Sequence, residues 1–181
     1  MTDTFWNELK EELQKGVSKK GHPFRYATLG TVGMDKLARL RTVVLREVLK
    51  NGNLRFYTDR RSKKVLHMIE NPKVSMLFYQ PQKLLQIKVE GLATIHTDQD
   101  TISDIWKNIP ENNRKDYTTN YAPGSGISDP ETISYLEGDH FFCMVEIEPF
   151  KIEYLKLNRP NHIRVRYSKN DYGWESEFLV P

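Results

Sequence analysis

Asn51-Gly52 stands between two β-forming runs, residues 37–48 and LRFYT at 54–58, and is the strongest hairpin signal in the chain. Further runs of the same kind cover 24–32, 73–80, 84–97, 140–148, 150–157, 161–168 and 174–180. Short turns join most of them: Gly33-Met34-Asp35-Lys36, Pro81-Gln82-Lys83 and the KNDYG segment before Trp174. Gly91 reads as a bulge or kink inside the 84–97 run. A chain of about eight short strands at turn spacing has many edges to hide. A closed or nearly closed antiparallel barrel hides them most economically. Long alternation of strand and helix is missing, so a doubly wound parallel sheet is not expected.

Helical periodicity is confined to a few places. Phe5, Trp6, Leu9, Leu13 and Val17 define an amphipathic helix that ends near 16–21. Ser62 to Glu70 predicts a short helix with Val65, Leu66 and Ile69 facing inward, stopped by Asn71-Pro72. Thr97 or Asp98 caps a helix through Asn108, with Ile102, Ile105, Trp106 and Ile109 as its packing face. Residues 110–128 read as a long loop, with Tyr117 and Tyr121 as candidates for a lid. Asp129-Pro130-Glu131 predicts a short helix over 130–137. The expectation is a mainly β, α+β chain forming one domain over 1–181.

Composition narrows the function classes. No apolar run approaches the length needed to cross a membrane as a helix, and the first fifteen residues have no signal-peptide core, so a cytoplasmic protein without a membrane partner is expected. The lone Cys143 lies in the apolar run FFCMVEI and reads as a packed thiol. The histidines at 22, 67, 96, 140 and 162 have no ligand spacing, so no metal site is expected. A net charge of +3 with little aromatic interleaving argues against a nucleic-acid partner. Basic residues do concentrate over 36–64, however. There, Ser62, Lys63 and Lys64 occupy the first turn of a helix, where unpaired amides and the helix dipole favour an anion. Arg41, on the neighbouring strand, has the reach to join them in a phosphate seat.

RTVVLR (41–46), FYTDRRSKK (56–64), NPKVSMLFY (71–79), LQIKVEG (85–91) and YGWESEFLVP (172–181) occur in the order found in the pyridoxamine 5′-phosphate oxidase superfamily. The chain resembles that FMN-binding family over roughly 24–181, with an oxidase-like C-terminal segment at about 140–181. The resemblance implies an antiparallel Greek-key split β-barrel and a homodimer with non-covalent FMN at its interface. It implies that Arg41, Thr42, Val43, Val44, Leu45 and Arg46 run along the flavin, with Arg41 on the phosphate. Tyr57 and Thr58 correspond to a second FMN-contacting pair, and Lys63 and Lys64 to a basic phosphate-binding pair. Gln86, Ser125 and Arg164 correspond to further flavin contacts, and His162 to a substrate contact.

Departures from the family pattern bear on the substrate. Pro160 stands where the oxidases carry a substrate-holding arginine, Arg46 replaces a lysine, and Leu155 replaces a flavin-packing tryptophan. The family's substrate-phosphate group falls in 105–113, where this chain has Ile105, Ile109 and Asn113. The expectation is an FMN-dependent oxidoreductase for a small molecule, with vitamin B6 phosphates disfavoured and no residue assigned as catalytic. Its alternatives are a flavin carrier in storage or stress response, and a split barrel that has switched to haem or a deazaflavin. Trp174 is read as a core residue, and Arg60 and Arg61 as solvated.

Overall fold

Alternation of inward apolar and outward polar side chains organises the computed structural model, which describes residues 2–181. In β4 (Lys73–Gln80), Val74, Met76 and Phe78 are buried while Lys73, Ser75, Leu77 and Tyr79 face out. β3 (Leu54–Asp59) buries Leu54 and Phe56 in the same way, and β5 (Leu85–His96) buries Leu85, Ile87 and Val89. With β1 (Tyr26–Val32), β2 (Ala38–Val48), β6 (Phe142–Lys156), β7 (Ile163–Asn170) and β8 (Gly173–Phe178), they form one antiparallel sheet. Its order is β3-β2-β1-β4-β5-β6-β7-β8, and a β3–β6 pairing closes the first six strands into a barrel.

The β1-β2-β3 meander is followed by a strand that returns beside β1, which is the Greek-key order. The helix α2 (Lys63–Glu70) makes that return. In the closed ring, β2 and β5 stand opposite each other, two strands apart by either route. The expected split barrel is therefore present, with β7 and β8 extending it beyond β6.

Several local expectations need correction. The runs 140–148 and 150–157 are one fifteen-residue strand, β6. Pro149, which has no amide proton to pair, is absorbed where the β5–β6 register shifts at Gly91. A Cβ on Gly91 would sit 2.7 Å from the Glu148 carbonyl oxygen, so the bulge requires glycine. The helix expected over 130–137 is a single turn, Pro130–Thr132, followed by a bridge from Tyr135 to Thr119. In α2 the buried residues are Val65, His67 and Met68, whereas Leu66 and Ile69 are exposed. Eight residues hold little more than two turns, so small errors in the helix angle move residues between faces.

The first helix, α1 (Asp3–Ser18), packs Leu9 and Leu13 into the main core. Trp6 lies against Tyr167 and Trp174, with ring centroids 4.7 and 5.2 Å away, so Trp174 packs at the core's margin as expected. Tyr154 and Lys156 both donate to the Glu8 carboxylate, at 2.7 and 2.9 Å, tying α1 to β6. Glu12 is only 1% exposed and accepts hydrogen bonds from Lys83 at 2.7 Å and Lys15 at 3.2 Å. Burial would raise its pKa, but the hydrogen bonds from Lys83 and Lys15 outweigh burial and hold it below the ordinary 4.5. A lowered carboxylate contributes stability above its unfolded pKa and loses it as pH falls through the folded one. Glu12→Gln is therefore expected to cost about 1–3 kcal/mol at neutral pH. The difference from wild type should shrink below about pH 4.5, as read by urea unfolding across pH.

Candidate functional site

On the outer surface, β2, β3 and the start of α2 converge on a cavity of about 290 Å³. Thr42, Val43, Val44, Arg46, Tyr57, Thr58 and Lys64 line it, with Asp116, Tyr117 and Pro123 from the long loop. Seven of the residues expected at the cofactor are thus brought together, with the lid candidate Tyr117 beside them. The turn that delivers α2 is held by Asp59, whose carboxylate accepts from the Arg61 amide at 2.8 Å and pairs with its guanidinium at 2.7 Å. Ser62 takes the N-cap position with extended backbone angles, yet its hydroxyl makes no capping bond and is buried without a partner. That orphan sits at the end of a helix whose first amides have no intrahelical acceptor.

Two cations have no carboxylate ion pair among the described residues: Lys64 lines the cavity, and Arg41 stands beside Lys64 without lining it. Lys64 donates to Thr58 Oγ1 at 3.0 Å. Arg41 Nη1 donates to Thr31 Oγ1 at 2.6 Å, the Arg39 carbonyl at 2.9 Å and the Leu29 carbonyl at 3.4 Å. Burial lowers the pKa of Lys64 below the usual lysine range, and the neighbouring Arg41 charge lowers it further. Burial likewise lowers Arg41, with Arg39 adding to the effect. Adjacent half-buried cations held only by neutral acceptors are costly unless an anion joins them. The unpaired cations, the orphaned hydroxyl and the helix end all fit a phosphate group. Lys63 is exposed on the same first turn and lines no part of the cavity.

Arg46 owes its position to a β-bulge. Leu45 pairs with Phe56 and Glu47 with Arg55, so Arg46 is the unpaired extra residue of β2. Leu45 itself is fully buried in the barrel and can offer only main chain to the outer face. Glu47 accepts from the Tyr57 hydroxyl at 2.9 Å. Burial, reinforced by that carboxylate, holds the Tyr57 pKa far above the ordinary tyrosine range.

Other expected positions lie elsewhere. Gln86, Leu155 and Arg164 pair in register across β5, β6 and β7, forming one row that starts on β5, the strand opposite β2. Arg164 is ion-paired to Glu153 at 2.8 Å. Ser125 lines a neighbouring hollow with Tyr121 and Ile127, and Asp116 and Pro123 belong to both spaces. His162 is exposed and accepts through Nδ1 from the Asn158 amide at 3.1 Å, holding the β6–β7 turn. Tyr117 is a buried wall residue, packed with Ile102, Ile109 and Phe142, whereas Tyr121 is exposed.

Arg61 is not solvated. Besides Asp59, it donates to the Thr119 carbonyl at 2.8 Å and the Asn120 carbonyl at 3.2 Å, and its guanidinium lies 3.3 Å from the Phe141 ring centroid. It fastens the long loop to the barrel, a long-range role that no local pattern encodes. Cys143 is fully buried opposite Thr58 in the β3–β6 ladder, and burial pushes its thiol up to about 12. Tyr117, expected as part of a lid, is instead a wall residue, and Asp116 and Pro123 carried no usable signal, because loop residues have no periodicity from which direction can be read.

The barrel, with an anion seat on its outer β2–β3 edge, defines the FMN-binding split-barrel class. Residues 3–97, just over half of the chain, match the FMN-binding domain of pyridoxamine 5′-phosphate oxidase, and the chain belongs to that family. The cofactor of this domain is FMN. The pyridoxine/pyridoxamine 5′-phosphate oxidase of Deinococcus deserti is 25% identical over 168 residues, covering 85% of this chain and 78% of that protein. Further curated oxidases match over only about a third of their own length. An FMN-binding, pyridoxamine 5′-phosphate oxidase-related protein from Nostoc punctiforme superposes with a TM-score of 0.79 at 24% identity, covering 97% of this chain and 96% of that one. PhzG from Burkholderia lata, solved with tetrahydrophenazine-1-carboxylic acid, gives a TM-score of 0.80 at 19% identity, covering 97% and 91%. Among the described residues, no helix is long and apolar enough to cross a membrane.

Two outcomes are expected at this site. Thiol reagents should leave Cys143 unlabelled in the native protein at about pH 8 and label it stoichiometrically in denaturant, since a thiol with so high a pKa stays protonated. Arg61→Ala should speed proteolytic nicking within 115–135, read by mass spectrometry of the fragments, because the loop loses its main fastening.

Proposed function

We propose that this chain is an FMN-dependent oxidoreductase acting on a small molecule, and that it works as a homodimer. The observation that carries the reading is the pair of uncompensated cations, Arg41 and Lys64, beside the buried orphan hydroxyl of Ser62. Lys64, Arg41 and the first amides of α2 would hold the phosphate, with Lys63 adding charge from the rim. The main chain of Thr42 to Arg46 would border the isoalloxazine, and Tyr57 and Thr58 would flank it. When bound, FMN supplies two-electron chemistry; the protein's part is to orient the ring and shield it.

The row Gln86-Leu155-Arg164 runs from β5, opposite β2 in the ring, out to β7, and none of the three lines the cavity of its own protomer. A two-fold partner presenting that row to the cavity would complete the site, which supports the dimer. Pyridoxine or pyridoxamine phosphate is a poor candidate substrate: Pro160 has no side-chain donor, and Ile105 and Ile109 have none for a phosphate.

Titration of the purified protein with FMN, followed by flavin fluorescence, tests the reading. Saturable quenching at one FMN per chain is expected, with dimer mass by light scattering. Lys64→Ala should weaken FMN by about ten- to a hundredfold, the range for losing a charge-assisted hydrogen bond. A protein that neither quenches FMN nor gains thermal stability from it would overturn the assignment.

A further inference from the structure

Beside the anion seat, a second cavity of about 380 Å³ opens between the C-terminal half of α3 (Gln99–Asn108) and the β2–β3 edge. It shares Arg46, Tyr57 and Tyr117 with the first, so the two spaces adjoin. Ile105 and Ile109 add aliphatic wall, and Asn113 adds an amide. The chemistry of this lining differs from that of the seat. Arg46 is its one cation among the described residues, and two carboxylates, Glu47 and Asp104, stand on the same lining. Glu47 is already engaged by Arg55 at 3.2 Å and by Tyr57, and Asp104 by Lys107 at 3.3 Å.

Arg46 is also set apart by its geometry. The bulge removes it from the β2–β3 ladder, its guanidinium lies 5.6 Å from the Tyr57 ring centroid, and its Nε is buried with no hydrogen-bond partner. A buried guanidinium donor left unpaired calls for an acceptor from a ligand. A phosphate dianion entering here would meet one cation and two carboxylates, without the helix end and second cation that the neighbouring seat provides. A carboxylate carries one charge and matches the guanidinium fork, while a flat ring behind it suits the tyrosines and isoleucines.

We propose that this cavity takes a planar aromatic carboxylate and discriminates against the corresponding phosphate monoester, with Arg46 reading the charge. Calling that ligand a substrate rests on the flavin oxidoreductase reading; the binding preference does not. Isothermal calorimetry with 2-naphthoate and 2-naphthyl phosphate at about pH 8, where the phosphate is a dianion, tests it on the full chain with and without FMN. Wild type should prefer the carboxylate by at least about tenfold, and Arg46→Gln should lose about tenfold or more of naphthoate affinity while remaining folded by thermal melt. Asn113→Arg adds a cation to the lining without touching Arg46, and it should raise naphthyl phosphate affinity about tenfold. Equal or tighter binding of the phosphate by wild type, no binding of naphthoate, or a naphthoate affinity unmoved in Arg46→Gln would each overturn the proposal. If FMN titration failed while the carboxylate preference held, the flavin reading would fall and this one would stand; the converse result would reverse that outcome.

Discussion

Pairing of β3 with β6, from Leu54↔Ile147 to Asp59↔Phe142, turns an open sheet into a ring, and the site depends on that closure. Without it, β3 would be an edge strand, free to slip by a residue and exchange its inward and outward side chains. With it, Phe56 and Cys143 are fixed inside, Tyr57 is fixed outside, and α2 must start at the barrel's rim beside β2. β6 can serve both the ring and the C-terminal hairpin because it is long and bends at Gly91–Pro149. One half of it closes the barrel; the other carries β7.

A cation seat on a stable barrel has to be held in place by something other than the anion it awaits. Arg41 and Lys64 are oriented by a hydroxyl and carbonyls, which fix direction while leaving their charge uncompensated. Of the carboxylates nearby, Asp59 holds Arg61 and Glu47 holds Arg55 and Tyr57, while Asp116 reaches the cavity only from the long loop. This division keeps the positive field available and explains how half-buried cations coexist with nearby acids. Arg46 joins this arrangement through an irregularity of the ladder, the kind of local departure that often re-aims a side chain at a binding surface.

The fold was largely legible in the sequence because its strands alternate cleanly and its turns carry strong signals. Asn51-Gly52, the alternation of 73–80 and the kink at Gly91 all appear where expected. The errors have a common physical origin. Pro149 looked like a strand break because its missing amide was weighed without the bulge that accommodates it. Leu66 and Ile69 looked buried because a two-turn helix leaves its face underdetermined. Asp129-Pro130-Glu131 does start a helical turn, but the bridge between Thr119 and Tyr135 ends it.

For the candidate site, the sequence by itself determined which residue types are available: a basic helix start, a β2 strand flanked by arginines, and a region near 105–113 poor in phosphate ligands. Only the tertiary structure decided which of them meet. It gathers Thr42–Val44, Arg46, Tyr57, Thr58 and Lys64 into one cavity, and places Gln86 on the opposite strand of the ring and Arg164 on the β7 extension. It also makes Arg61 a fastening for the loop and Arg46 the bulged residue at the border of two cavities. Local periodicity reports which face of its own element a residue takes. Strand order, register shifts and loop docking are long-range properties, set by how the whole barrel closes.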